Sequence, residues 1–260
     1  MPKKNCIKDR TGEIGYNSFG SKMKIILYEG KRKIKVYFEQ YDWISDYVEY
    51  VAFKRGNIRC PYEARVYDVG YQGEGKYNFY DCKELYDTWY DMLKRCYDPY
   101  YINKYPTYID CYVCEEWHNF QNFAEWFYKN YYVCNNEQMH LDKDILIKGN
   151  KIYSPRTCIF VPRRINSLFL KSNKNRGSYP IGITFRKRDN VLEVKCSIFN
   201  GCKYKSKYLG QFPLNKPFQA FYTYKIFKEK YIKQIADEYK NFIPKKLYDA
   251  MYEYKVEIND

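Results

Sequence analysis

The alternation of apolar and polar positions is clearest near the start of the chain. Between Ser21 and Gln40, Ile34, Val36 and Phe38 alternate with Lys33, Lys35 and Tyr37, and a Glu29-Gly30 turn precedes them. A period of two sends successive side chains to opposite faces, so the segment predicts two strands around a turn. It opens a small β-rich module, residues 1–78, whose Gly70-Tyr-Gln-Gly-Glu-Gly75 segment reads as a flexible boundary. These glycines neither precede a Lys-Ser or Lys-Thr pair nor have dinucleotide spacing, so they do not read as a phosphate loop.

Helical spacing follows. Leu85, Trp89, Met92, Leu93 and Cys96 recur at three or four residues within Asp81–Tyr97, and Asp98-Pro99 ends the run. A second helix is predicted from Asn119 to about Tyr131, with Phe120, Phe123, Phe127 and Tyr131 on one face and Trp126 beside it. Such a stripe reads as core in preference to a base-stacking platform. Next come a strand to His140 or Asp142, a turn at Lys148-Gly-Asn150, a strand over Thr157–Val161 and a helix from Pro162, which together make a ββα unit. Three further strands are predicted over residues 179–187, 191–199 and 205–212, with Asn200-Gly201 as a turn. A helix starting after Asn215, which can cap it, then presents Ala220, Phe221, Tyr224, Phe227 and Tyr231 to that sheet. The order predicts an α+β chain of three modules: a small β module (1–78), a ββα module with flanking helices (79–172), and a three-stranded antiparallel sheet plus helices (173–260).

Charge changes the picture. The chain of 260 residues carries a net charge of +14. From Lys171 to Lys240 there are 16 Lys or Arg against 5 Asp or Glu, so +11 of that charge falls in one segment and +3 elsewhere. A polyanion is the implied partner, and nucleic acid is the commonest, because Lys and Arg release condensed counterions from phosphates. No run of about 18 apolar residues exists to span a membrane, and the N-terminus has no apolar signal region, so an intracellular protein without a membrane partner is expected. The ten cysteines are scattered and read as reduced thiols. Cys111-Tyr-Val-Cys114 has the spacing of half a zinc knuckle, with Cys82, Cys96 and Cys134 near enough in sequence to contribute. Without a second Cys-x-x-Cys or His pair, two buried thiols are favoured over a structural zinc.

The candidate chemistry lies in the ββα unit. Asp142 and Asp144 fall on one side of an extended strand, where shared ligation of a hard ion favours Mg²⁺ or Mn²⁺ over zinc. His140 precedes them, and His118 is the only other histidine. From Trp89 to Asn166 the chain resembles the phage-type HNH endonuclease family. The match runs through Trp89-x-x-Met92-x-x-Arg95-Cys96, Cys114-x-x-Trp117 with Phe120, Phe123 and Trp126, Leu141-Asp142-Lys143, Tyr153-Ser-Pro155, Cys158 and the late Asn166. The resemblance implies Asp142 and Asn166 as metal ligands and His140 or Asp144 as the catalytic group nearest the attacking water. The chain departs from the family at Thr157, where Asn commonly precedes the Cys, and in lacking the His-His or Asp-His pair of other members.

The basic third resembles the Apetala-type DNA-binding domain of plant ethylene-response factors and phage homing endonucleases, through Gly182-Ile183, Lys195, Leu209-Gly210-x-Phe212 and Ala220-x-x-x-Tyr224. That resemblance implies a sheet lying in the major groove of double-stranded DNA. Arg186 and Arg188 would then read bases, with Lys195, Lys203, Lys205 and Lys207 holding phosphates. Together the two resemblances imply a metal-dependent, homing-type DNA endonuclease acting in the cytoplasm of a bacterial host. A catalytically inactive DNA-binding regulator of the same architecture is the alternative, and a phage protein that neutralises a host defence is a third class.

Overall fold

The computed structural model describes residues 8–170, 179–199, 203–258 and 260. It is an α+β structure that divides into two compact units, residues 1–129 and 130–260. Among the described residues no helix is long and apolar enough to cross a membrane.

The first unit begins with an antiparallel meander of β1 (Ile14–Tyr16), β2 (Lys22–Tyr28), β3 (Ile34–Phe38) and β4 (Trp43–Ile44). Met23, Ile25, Ile34, Val36 and Phe38 are buried beneath Phe53 of the short helix α1 (Tyr50–Lys54), as the alternation predicts. A bulge between Ile25 and Leu27 lets Leu27 pair with Lys35. Helix α2 (Lys83–Tyr97) buries Leu85, Trp89, Met92, Leu93 and Cys96. It stops at Asp98 because the following Pro99 disfavours a helical Asp98. The freed Asp98 carboxylate accepts the backbone N–H groups of Tyr100 (2.9 Å) and Tyr101 (3.3 Å) and starts α3 (Pro99–Lys104). The two-residue strand β5 (Tyr112–Val113) and helix α4 (Phe120–Asn130) follow.

The aromatic stripe is core: Phe120, Phe123 and Phe127 are buried, Phe120 lies edge-on to Phe79 and Trp89, and the Trp89 indole N–H donates to the Trp117 carbonyl at 2.8 Å. The 70–75 glycines do not act as the boundary expected from sequence, since they lie inside the first unit and pack closely. Gly73 has φ +68°, and an added Cβ would stand 2.2 Å from Asn119 Oδ1. Close approach and the left-handed backbone together require glycine there.

In the second unit β6 (Met139–Asp142) pairs antiparallel with β8 (Ile159–Pro162), with the short strand β7 (Ile152–Tyr153) between them in sequence. Helix α5 (Arg163–Ser167) completes the ββα unit. A second sheet holds β9 (Ile183–Arg186), β10 (Val191–Phe199) and β11 (Tyr204–Pro213) in the order β11-β10-β9. The expected Asn200-Gly201 turn lies outside the described residues. Helix α6 (Pro217–Tyr239) and helix α7 (Lys245–Glu253) end the chain. Asn215 does not cap α6; Lys216 is at the cap position with no side-chain bond, and Pro217 takes the first helical turn, where its missing N–H costs nothing.

Helix α6 serves two cores. Its first half lays Ala220, Phe221 and Tyr224 on Ile183, Leu192, Val194 and Cys196 of the sheet. Its second half packs Ile232, Ile235, Ala236 and Tyr239 with Ile159, Val161, Ile165 and Leu168 of the ββα unit. Tyr231 belongs to this second core, although its hydroxyl still accepts the Phe199 N–H of the sheet at 2.8 Å.

Candidate hydrolytic centre and nucleic-acid interface

In the β6–β8 hairpin His140 stands opposite Val161 and Asp142 opposite Ile159. Directly paired antiparallel residues share a face, so His140 and Asp142 lie on the side of the hairpin that carries Ile159 and Val161. Asp142 Oδ1 accepts the backbone N–H of Asp144 (2.8 Å) and of Ile145 (2.7 Å), which turns the chain out of the strand. Burial raises its carboxyl above the usual range, and the two N–H bonds oppose that rise without cancelling it.

Asp144, the other carboxylate expected near the water, is engaged within its own loop. Its Oδ2 pairs with Lys143 Nζ at 2.8 Å, and that lysine side chain is only 6% exposed. Lys143 Nζ also donates to the Asn150 carbonyl at 2.7 Å, while the Asn150 amide donates to the carbonyls of Lys143 (2.8 Å) and Ile152 (2.7 Å). The Thr157 hydroxyl donates to the Ile152 carbonyl at 2.7 Å and accepts from Ser154 Oγ at 2.9 Å. Thr157 therefore closes the turn that leads into β8.

Asn166 sits half-buried on α5, which packs against both β6 and β8. The start of α5 is held by Glu137, which accepts the Arg164 backbone N–H at 3.0 Å and the Tyr239 hydroxyl proton. Nothing in the local pattern around Glu137 announced this role, because both partners are distant in sequence.

The donors suit one kind of ion. Asp142 keeps its second oxygen and Asn166 supplies an amide oxygen, while Asp144 is turned to Lys143. A carboxylate and an amide oxygen are donor types that Mg²⁺ accepts, the rest of its shell being water and substrate phosphate. A desolvated carboxylate with a raised pKa also gains from a cation beside it. Among the described residues there is no group of three or more His, Cys, Asp or Glu that could hold a metal ion. Cys111 is buried, and burial raises the Cys114 thiol, which opposes the thiolate that zinc requires. His118 is engaged structurally, its Nε2 lying 3.2 Å from the Val113 carbonyl and 3.3 Å from the Tyr97 hydroxyl.

The basic sheet presents one face to α6 and leaves the other open. Register places Thr184, Arg186, Glu193, Lys195, Ser197, Ser206, Tyr208 and Gln211 on the open face. Glu193 is only 10% exposed and lies between two cations, 3.3 Å from Arg186 and 2.6 Å from Lys195. Arg186 also meets Asp189 at 2.5 Å, and the exposed Arg188 reaches Asp189 from the β9–β10 turn.

The cations expected to act together are divided. Lys205 pairs with Ile198 and Lys207 with Cys196, which faces the helix, so both lysines stand on the α6 side. Lys207 Nζ lies 5.0 Å from the Phe227 ring centre, an attractive cation–ring distance. Lys203 is exposed just before β11. Tyr208 and Gln211 reach the open face because the ladder is irregular after Val194, where Lys195 pairs with Tyr208 and Val194 with Gly210. Strict alternation would put Tyr208 and Gln211, three residues apart, on opposite faces, so their shared face was not visible in the sequence. Comparisons with protein-family models, curated proteins and solved structures give no match to this chain.

Proposed function

We propose that the chain is a double-stranded DNA-binding protein that hydrolyses phosphodiester bonds at its ββα unit with Mg²⁺ or Mn²⁺. The observation that carries this reading is the desolvated Asp142 carboxylate at the end of β6, in a hairpin packed against the helix that bears Asn166. Asp142 and Asn166 would hold the ion, which supplies charge stabilisation of the scissile phosphate. His140 shares the Asp142 face of β6 and is the residue of suitable type to take a proton from water. The open sheet face, with Arg186, Lys195 and Gln211, would meet the duplex, guanidinium and amide groups being suited to base edges and ammonium groups to phosphate.

A second reading is favoured by the ion pair of Asp144 with the buried Lys143, which ties one expected catalytic carboxylate into the loop. It is a DNA-binding regulator that keeps the architecture without the cleavage. Supercoiled plasmid incubated with the full chain and Mg²⁺ or Mn²⁺ separates the two. Loss of the supercoiled form, abolished by Asp142→Ala with duplex binding retained, supports hydrolysis. Binding without cleavage by the wild type supports the regulator.

A further inference from the structure

The four-stranded sheet of the first unit has a second face that the hydrophobic core does not use. Ile14 stands opposite Lys24, Lys24 opposite Tyr37, and Tyr37 opposite Ile44, so these four make one continuous row across the sheet. Tyr16 pairs with Lys22 on one side of that row, and Leu27 with Lys35 on the other. Gly15, between Ile14 and Tyr16, backs onto the Phe53 ring, which fixes its two neighbours on the open side. Tyr16 is 64% exposed, Ile14 53% and Ile44 49%. A shallow cavity on this face is lined by Lys22, Lys24, Tyr37 and Glu39.

Charge and ring chemistry select the occupant. Residues 22–38 hold six Lys or Arg against one Glu. Lys33 is paired with Glu29 and Lys22 with Glu39, but Lys24 and Lys35 have no ion pair among the described residues. Lys33 and Lys35 lie over the exposed Tyr47 ring at 4.4 and 5.0 Å, at the edge of the same surface. Cations interleaved with exposed rings on an open sheet suit a single strand, whose phosphates meet the cations and whose unpaired bases stack on the rings. A duplex hides its base faces and would leave the rings without a role. The rows carry only Lys, Tyr and aliphatic side chains, which grip phosphates and base faces without requiring a ribose 2′-hydroxyl, so a single strand of DNA satisfies them.

We infer that the open face of the β1–β4 sheet, centred on Tyr16, Lys24, Lys35 and Tyr37, is a binding surface for single-stranded DNA. This surface belongs to the first unit, whereas the ββα unit and the β9–β11 sheet belong to the second. The test is fluorescence anisotropy of the full chain with a labelled oligo-dT of about 20 nucleotides, longer than a single sheet-sized site. Tyr16→Ala should weaken binding about ten-fold, as expected for one lost base stack. The Lys24→Ala/Lys35→Ala pair should weaken it further and reduce the salt slope by about 1.4, from two lost phosphate contacts on a single strand. Arg186→Ala/Lys195→Ala should weaken duplex binding more than oligo-dT binding, the opposite order to the Tyr16 and Lys24/Lys35 variants, which separates failure of this inference from failure of the duplex reading. Unchanged thermal unfolding of the Tyr16 and Lys variants would assign their effects to the surface. Oligo-dT binding indifferent to both changes, or tighter binding of oligo-U RNA of equal length, would overturn the inference.

Discussion

Asp142 couples stability to pH, and it is the residue on which the proposed cation would act. Burial raises its folded carboxyl pKa above the ordinary value of 3.8, so folding favours the protonated acid. The stabilisation that follows is complete below the unfolded pKa and is lost as pH rises through the folded one. Asp142→Asn keeps an oxygen acceptor for the two backbone N–H groups and removes the charge. Its melting temperature should therefore exceed that of the wild type at neutral pH, with the gap closing as pH falls towards 4. Mg²⁺ or Mn²⁺ should raise the melting temperature of the wild type and leave Asp142→Asn unmoved; equal shifts in both would remove Asp142 from the ligand set. Gly182 gives a separate residue-scale prediction. Its φ is +81°, and an added Cβ would stand 2.1 Å from the Tyr224 ring. Gly182→Ala should cost about 2 to 4 kcal/mol in urea unfolding, from left-handed strain and overpacking together.

At the scale of elements, alternation within each strand was legible, and pairing between strands was not. Lys203, Lys205 and Lys207 alternate as a charged set in the sequence, yet β11 turns Lys205 and Lys207 towards the α6 side while Lys195 and Arg186 point away. Duplex affinity should thus fall at least about ten-fold on Arg186→Ala/Lys195→Ala, each charge-assisted base or phosphate contact being worth about 1 to 3 kcal/mol. Lys205→Ala/Lys207→Ala should have the smaller effect. Titration of each variant with the same duplex at one salt concentration checks the order, and the reverse order would move the interface to the helix side. In the ββα unit the strands and α5 were readable from apolar runs and turn residues. The links from Lys143 to Asp144 and Asn150 were not, since they depend on which way a buried lysine folds over its own loop.

For the whole molecule, local patterns determined a great deal. They identified an α+β chain, most helices and strands, the aromatic core stripe, and a basic C-terminal third. Each of these rests on short-range periodicity or on charge, which a chain carries without being folded. Tertiary structure decided the rest. It placed the division at residues 129 and 130 and packed the 70–75 glycines inside the first unit. It also set one helix, α6, against two cores, and sorted cations between the faces of a sheet. A strand's own period separates its two faces but cannot say which neighbour it will pair with, nor where a bulge will shift that pairing. Burial of Asp142 has the same origin: desolvation belongs to the surroundings, which include Ile159 across the β6–β8 ladder.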